Sequence, residues 1–173
     1  MYVADVFGKI EQGPVIGDNL ATAIYAKTGN GVVHDAAVRD VDGLQELANF
    51  TSFVRGTHPS YASPTIMLTG CNTPIRIGAA TVMPGDVVLG RPDGVIFIPP
   101  HLAEKVVKTS ELIRLRDAFG KSRLAEGVYT SGQIDRRWSD DIEADFSAWL
   151  EERIDQLPVP KEAIQELLKE RTW

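Results

Sequence analysis

The sequence predicts an α/β fold with a helical C-terminal region, and three observations support this prediction. Strand-like and helix-like segments alternate over the first 50 residues, which is typical of a sheet with parallel strands. Short β-prone runs separated by turn residues fill residues 53–99, and amphipathic helical patterns dominate the rest. The length of 173 residues, with 43% hydrophobic and 24% charged residues, suits a globular core.

The first predicted elements are a strand, a loop and a helix. Met1–Phe7 is rich in β-forming residues, and Gly8–Gly17 contains the Gly, Pro and charged residues of a loop. Apolar residues at helical spacing then predict a helix over Asn19–Lys27. Asp18 or Asn19 is the expected N-cap, because both side chains accept hydrogen bonds from free helical amides.

A second strand and helix follow. Gly31–Val38 predicts a short buried strand that delivers Arg39 and Asp40 to its carboxyl end, and Val41–Phe50 predicts one or two helical turns. Ligands of α/β proteins gather beyond the carboxyl ends of parallel strands. Arg39 and Asp40 are therefore placed where a binding site is expected.

The middle of the chain changes character to a β-sheet or partial barrel. Its short β-prone runs are separated by turn signals such as the Pro-Gly-Asp at 84–86 and the Pro-Asp-Gly at 92–94. The predicted strands are Phe53–Arg55, Thr65–Leu68, Ile75–Ile77, Thr81–Met83, Asp86–Leu89 and Val95–Pro99.

The C-terminal region returns to helical patterning. An apolar stripe predicts a long helix over His101–Glu126, and two further helices are expected over Asp141–Gln156 and Lys161–Arg171. This tail could pack on a neighbouring subunit or be a solvated helical extension.

Charge and composition exclude several classes of protein. Residues 1–138 carry equal numbers of acidic and basic side chains, so the net charge of −6 arises entirely from residues 139–173. No basic run exceeds Arg136-Arg137 and no apolar run is long enough to span a membrane. Cys71 is the single cysteine, so neither an intramolecular disulfide nor a cysteine metal cluster is possible. We expect a cytoplasmic protein without nucleic-acid or membrane partners.

The strongest chemical signal is the segment Gly17-Asp18-Asn19-Leu20 at a predicted helix start, paired with Arg39-Asp40 at a predicted strand end. One strand–helix–strand crossover separates them, so both can open at the same edge of the sheet. The amides of residues 17–20 could bind a carboxylate at the positive end of the helix dipole. Asp40 offers a hard oxygen ligand for Mg²⁺ or Mn²⁺.

Arg39 and Asp18 could complete such a site. Arg39 could stabilise negative charge that develops on a ketone oxygen, and Asp18 could orient a water that exchanges protons. From spacing alone, however, Asp18 could simply cap its helix, and Arg39 and Asp40 could form a surface ion pair worth about 0–1 kcal/mol.

Longer motifs resemble a known family. They are GDNLATAIYAKTGNGVVHDAAVRDVDGLQEL, FVRGTHP, PIRIGAATVMPGDVVLGRPDGVIFIPP and HLAEKVV. Together they resemble the RraA-like family, which joins 4-hydroxy-4-methyl-2-oxoglutarate aldolases to the regulator of ribonuclease E activity A. The resemblance covers residues 1–127 and leaves 128–173 as an acidic helical extension. It implies a swivelling α/β/β sandwich assembled as homotrimers, sometimes paired into hexamers.

The resemblance also implies roles for the site residues. Asp40 matches the metal-binding aspartate, Arg39 the arginine that contacts the pyruvyl group, and Asp18 the aspartate linked to acid–base chemistry. The substrate carboxylate is expected on the segment made by Gly17, Asp18, Asn19 and Leu20. The implied activity is a lyase dependent on Mg²⁺ or Mn²⁺ that cleaves a pyruvate-containing 2-oxo acid through a metal-stabilised pyruvate enolate. Both retro-aldol cleavage of 4-hydroxy-4-methyl-2-oxoglutarate and decarboxylation of oxaloacetate pass through that enolate.

Two further expectations come from the resemblance. Glu111, on the long predicted helix, is the candidate for a glutamate that reaches the metal from a neighbouring subunit, although an exposed helical glutamate is more often only a solvated charge. Members usually carry a longer segment before the first strand, so the chain is expected to be short at its N-terminus.

One alternative function remains open. The regulator branch of the family binds RNA-processing enzymes and has no catalytic role, but it typically lacks the acid that Asp18 matches.

Among the histidines, His34 fits a core position of a buried strand, and His58 lies in a loop that could approach a substrate or serve only in a turn.

Overall fold

The structure, a computed structural model, describes residues 1–155, 157 and 159–167. The chain folds into two compact units, of which the first comprises Met1–Leu102 and the second begins at Ala103. The elements of the first unit, in chain order, are β1 (Tyr2–Lys9), α1 (Asp18–Thr28), β2 (Val32–Val38), α2 (Val41–Glu46), β3 (Ser52–Thr57), β4 (Ile75–Ile77), β5 (Ala80–Val82), β6 (Val87–Arg91) and β7 (Gly94–Ile98).

A three-stranded parallel sheet, in the order β1-β2-β3, forms the centre of the first unit. The central strand β2 is buried at every residue, as expected for a parallel strand covered on both faces. Its register pairs Val33 with Val3 of β1 and with Phe53 of β3. The register shifts near the end of β1, where Phe7 and Gly8 adopt positive φ angles of 59° and 69°.

The two helices cover one face of this sheet. Ala21 and Ile24 of α1 and Leu44 of α2 pack with Val32 and Val38 of β2 in one buried cluster. Removing this apolar surface from water supplies the main force that holds the helices on the sheet. Gly29 ends α1 in the left-handed region, with φ 63° and its amide bonded to the Tyr25 carbonyl at 2.8 Å.

Two antiparallel hairpins, β4-β5 and β6-β7, lie on the face of the parallel sheet opposite the helices. Asp35 of β2 points to this side, where it bonds Arg55 Nε and accepts the Gly78 amide at 3.4 Å. Gly90 of β6 packs so closely on β3 that a Cβ there would collide with the Phe53 ring. Helices, sheet and hairpins therefore form an α/β/β arrangement, which confirms the predicted α/β class.

One predicted strand is wrong. Residues 65–68 form no strand, because the amides of Thr65 and Ile66 both bond back to the Ala62 carbonyl in a turn. Met67 and Leu68 are 81% and 78% exposed, so their apolar character does not reflect burial in this unit. The other predicted strands are confirmed with shifts of at most two residues at their ends.

The second unit is helical. Its elements are α3 (Pro100–Ala125), of which residues 100–102 belong to the first unit, α4 (Ser131–Ile134), α5 (Asp140–Arg153) and α6 (Lys161–Leu167). The predicted long helix and the start of the next are confirmed, and the short α4 was not predicted. Gln156 and residues 168–171, which the sequence assigns to the last two helices, lie outside the described residues.

An aromatic cluster forms the core of this unit. Phe119 is fully buried, and its ring centroid lies 5.3 Å from that of Trp138, 5.2 Å from that of Phe146 and 6.0 Å from that of Trp149. The buried Arg116 guanidinium lies 3.7 Å from the Trp138 ring centroid, a favourable cation–π distance.

A bidentate ion pair joins α3 to α5. Arg123 donates from Nε to Asp145 Oδ2 at 2.8 Å and from a terminal nitrogen to Oδ1 at 2.6 Å. Tyr129 adds a hydroxyl donor at 3.0 Å to the same carboxylate. These hydrogen bonds lower the pKa of Asp145, so the carboxylate stays charged at neutral pH.

Within the described part of the chain, no helix combines the length and apolar character needed to cross a bilayer.

The first prediction concerns Asp35, the carboxylate between the sheet and the hairpins. Burial by itself would raise the pKa of Asp35, but the hydrogen bonds from Arg55 and Gly78 and the nearby cations lower it overall. Such a group stabilises the fold above its unfolded pKa of about 4 and loses that contribution as the pH falls through its folded value. Asp35→Asn should therefore cost about 1–3 kcal/mol of unfolding free energy at pH 7.

Urea unfolding at pH values from 7 down to 3 measures this effect. The difference between wild type and Asp35→Asn should shrink as the pH falls below about 4, because the unfolded wild-type chain then binds a proton that the folded carboxylate does not. Asp93→Asn, at an exposed turn position, is the matched control and should behave like wild type. A difference that stays constant down to pH 3 would contradict the assignment.

The second prediction concerns the aromatic core. Phe119→Ala should lower the unfolding free energy by about 3–5 kcal/mol, because it removes a fully buried ring and leaves a cavity. Near-ultraviolet circular dichroism during thermal unfolding follows this loss through the neighbouring tryptophans. Val128→Ala, at a side chain that is 52% exposed, should leave the melting temperature nearly unchanged; equal effects of the two substitutions would refute the packing role.

Candidate functional site

The carboxyl end of the central strand presents Arg39 and Asp40. Arg39 follows β2 directly, and Asp40 is the N-cap of α2, with a left-handed backbone at φ 55° and ψ 49°. Its carbonyl accepts the Leu44 amide at 3.1 Å, while the Arg39 amide donates to the Ile16 carbonyl at 3.1 Å. The second contact ties the end of β2 to the segment that leads into α1.

The start of α1 lies at the same edge of the sheet. Gly17, rather than the predicted Asp18 or Asn19, is the N-cap; its backbone is extended, with φ −120°. The first helical hydrogen bond runs from the Ala21 amide to the Gly17 carbonyl at 3.0 Å. The amides of residues 18–20 precede that bond and carry the positive end of the helix dipole.

Gly17 brings the two segments together. A Cβ at this position would collide with Asp40 Oδ2, and it would lie 3.1 Å from Arg39 Nε and 3.2 Å from Arg39 Cγ. Only glycine leaves room for such an approach of side chains to backbone. The structure therefore brings Gly17, Arg39 and Asp40 into one cluster, as their spacing in the sequence predicted.

Arg39 and Asp40 also contact each other. Arg39 Nε donates to Asp40 Oδ2 at 3.0 Å, and the two side chains are 34% and 44% exposed. At that exposure the pair contributes little to folding stability. Both charged groups are thus accessible to a ligand from solvent.

Asp18 lies against the first turn of α2. Its Oδ1 accepts the Asn19 amide at 2.7 Å, and a Cβ on Gly43 would lie 2.6 Å from its Oδ2. The sequence predicted that the free amides of residues 17–20 could bind an anion. In the structure the Asn19 amide donates to the side chain of Asp18, the residue that begins the helix.

The donor atoms at this edge suit a hard divalent cation held mostly through water. Asp40 supplies one accessible carboxylate, and no group of three His, Cys, Asp or Glu side chains that could hold a metal occurs among the described residues. Mg²⁺ commonly keeps several waters and takes one or two protein carboxylates, whereas structural zinc requires four protein ligands. Asp40 could therefore serve as one protein ligand of Mg²⁺ or Mn²⁺.

A separate cavity of about 240 Å³ lies between α2 and β3. Its lining is largely apolar and contains no charged side chain; the main contributors are Val38, Val41, Leu44, Leu47, Phe50 and Val54. An anion would lose its hydration there without gaining a charged partner. The charged cluster outside this cavity is therefore the candidate site for an acidic substrate.

The sequence placed His58 in a loop that could approach a substrate, but it did not reveal the contacts of that loop. The His58 amide donates to the Val38 carbonyl at 2.9 Å, which places His58 beside the residue that precedes Arg39. His58 Nδ1 lies 2.8 Å from Ser60 Oγ, and that oxygen accepts the Gln12 amide at 2.8 Å. No spacing rule connects Gln12 with Ser60, so only the folded structure could show this network.

The histidine of β2 has a different environment. His34 is 1% exposed, and burial lowers the pKa of its imidazole more than the Gly13 carbonyl and Asp35 raise it. A neutral, buried ring fits the predicted core position.

Glu111 is exposed on α3, in the second unit, and its approach to a neighbouring subunit's metal stays a prediction.

Comparisons with known proteins agree with this fold. The family model described as "RraA-like: Aldolase/RraA" matches residues 1–97, which contain every residue of the charged cluster. A protein from Halalkalibacterium halodurans named "Putative 4-hydroxy-4-methyl-2-oxoglutarate aldolase" is 33% identical over 98 residues, which are 57% of this chain and 46% of that protein. An uncharacterized protein from Methanocaldococcus jannaschii is 26% identical over 72% of this chain and 60% of its own length.

A solved structure from Pseudomonas syringae pv. tomato, of a protein described as uncharacterized, superposes with a TM-score of 0.69 at 25% identity. The superposition covers 77% of this chain and 61% of that one. The chain thus spans about half the length of the Halalkalibacterium relative and three fifths of the other two. Because the family model covers more than half of the chain, including both layers that flank the parallel sheet, the chain belongs to the RraA-like family.

Proposed function

We propose that this chain is a divalent-metal-dependent lyase that breaks a carbon–carbon bond in a pyruvate-containing 2-oxo acid. The observation that carries the proposal is the close approach of Gly17 to Asp40 and Arg39. This close approach brings the N-terminus of α1, the Arg39 guanidinium and the accessible Asp40 carboxylate together at one edge of the sheet. The aldolase name of the Halalkalibacterium relative supports the same reaction class.

The N-terminus of α1 would bind the substrate carboxylate. The amides of Asp18 and Leu20 precede the first helical hydrogen bond, and helix N-termini are effective anion sites because amide donors and the helix dipole act together. The Asn19 amide is engaged by Asp18, so the neighbouring amides supply the donors.

Arg39 would stabilise the negative charge that appears on the substrate as the bond breaks. Its Nε is held by Asp40, which fixes the plane of the guanidinium and leaves the terminal nitrogens to donate to the 2-oxo oxygen. A donor positioned in advance stabilises developing charge without reorganising during the reaction.

Asp40 would hold the metal, with waters completing the coordination. When bound, Mg²⁺ or Mn²⁺ supplies Lewis-acid polarisation of the substrate. In retro-aldol cleavage the proton of the 4-hydroxyl group would pass to water as the carbon–carbon bond breaks, and the other fragment would leave as a carbonyl compound; in decarboxylation it would leave as CO₂. In both cases the electron pair of the broken bond would remain on the pyruvyl fragment. A water oriented by Asp18 Oδ2 would then give a proton to the pyruvyl carbon, which yields pyruvate.

The direct test is pyruvate release from 4-hydroxy-4-methyl-2-oxoglutarate and from oxaloacetate, with Mg²⁺ or Mn²⁺ added. Activity should disappear with a chelator and return when the metal is restored. The family description also covers RraA; absence of pyruvate from both substrates with either metal would overturn the lyase and favour a non-catalytic binding role.

The third prediction concerns the metal ligand. Asp40→Ala should lower kcat/KM for pyruvate release by about 100-fold or more, because charge stabilisation at the reacting oxygen is lost. Asp42→Ala removes an exposed carboxylate two residues away, in the first turn of α2, and should leave kcat/KM within about twofold. Activity that survives Asp40→Ala unchanged would refute the role of Asp40.

The fourth prediction concerns the close approach at Gly17. The extended backbone of Gly17 accepts alanine without strain, so Gly17→Ala should fold normally while its methyl group displaces Asp40. We expect a loss of about 10-fold to 100-fold in kcat/KM, since small misplacements of reacting groups cost that much.

Gly132→Ala is the matched control for this substitution, because a Cβ there meets open space. Melting temperatures of both variants should stay close to that of wild type. Full activity of a folded Gly17→Ala protein would contradict the proposed geometry.

A further inference from the structure

The loop that follows β3 begins at the candidate site. Thr57, the last residue of β3, pairs with Val38, the last residue of β2, and the His58 amide bonds the Val38 carbonyl at 2.9 Å. His58 and Arg39 therefore leave adjacent parallel strands side by side, at the edge where ligands of such sheets collect. Nothing in the proposed reaction yet uses His58.

The loop is anchored to the segment that leads into α1. The Ala62 amide bonds the Pro14 carbonyl at 3.1 Å, and Thr65 Oγ1 bonds the Gln12 carbonyl at 3.2 Å. The loops after β1 and β3 thus meet across the end of β2. His58 lies on this framework and is half-buried.

The contacts of the ring fix its tautomer. The Ser60 backbone amide donates to His58 Nδ1 at 3.2 Å, and a backbone N–H can only donate, so Nδ1 must present a lone pair. Ser60 Oγ accepts the Gln12 amide and lies 2.8 Å from the same Nδ1, to which its hydroxyl can donate. In the neutral ring the proton is therefore on Nε2.

We propose that His58 is a specificity-determining residue whose Nε2–H donates a hydrogen bond to a substrate oxygen beyond the 2-oxo acid end. This inference rests on the proposed function, because α1 and Arg39 are taken to bind that end. All the described hydrogen bonds of the ring are at Nδ1, which leaves Nε2–H as the donor available to a ligand. Ser60 acts as a positioning residue that holds the ring.

Two substitutions separate this role from a structural one. In His58→Asn the side-chain oxygen replaces Nδ1 as the acceptor of the Ser60 amide, but the distal donor is lost. In His58→Gln the amide nitrogen replaces Nε2 as a distal donor. A purely structural histidine predicts that His58→Asn is the milder change, whereas a substrate donor predicts that His58→Gln is.

The fifth prediction is a change in KM with little change in kcat. We expect His58→Asn to raise KM for 4-hydroxy-4-methyl-2-oxoglutarate about tenfold, which corresponds to the loss of one hydrogen bond to a charged substrate oxygen. His58→Gln should restore most of the wild-type KM. Ser60→Ala should give an intermediate KM. His101→Asn, at an exposed histidine, is the control and should match wild type.

An NMR measurement tests the geometry without any substrate. Long-range ¹⁵N–¹H spectra of histidine-labelled protein at pH 8 should show His58 with Nε2 protonated, and Ser60→Ala should increase the other tautomer. Nδ1 protonation in wild type would overturn the inference, as would a His58→Asn enzyme with wild-type KM. Wild-type protein that releases no pyruvate would instead refute the proposed function itself.

Discussion

Burial of the central strand β2 on both faces is the constraint on which the first unit depends. Its apolar side chains Val32 and Val38 enter the helix layer, while Asp35 enters the hairpin layer and meets Arg55. A slip of one residue would exchange these faces and place a carboxylate in the apolar cluster. The register of β2 therefore also fixes where Arg39 and Asp40 emerge.

Much of this arrangement could be predicted because local pattern and tertiary structure agree. The alternation of strand and helix set the α/β class, and the buried run before Arg39 located the end of β2. The pairing of Gly17 with Arg39 and Asp40 followed from the length of one crossover. Here the residues that fold the chain and those that form the site lie on the same elements, so one pattern reports on both.

Other features could not be predicted because they depend on contacts distant in sequence. Thr65–Leu68 has the composition of a strand but finds no partner strand, and a turn satisfies its first amides. The helix begins one residue earlier than expected because Gly17 serves as N-cap at the close approach to Asp40. Ser60 and Gln12 meet 48 residues apart, and the aromatic core around Phe119 lies beyond residue 97, where the family model ends.

The left-handed backbone of Asp40 has an evolutionary consequence. With φ 55°, the position favours asparagine and aspartate over other side chains, since their short polar groups tolerate this conformation. Asparagine would keep the turn into α2 while removing the negative charge. Aspartate and asparagine codons differ by a single base, so one point mutation could remove the negative charge at this edge of the sheet and leave the architecture intact.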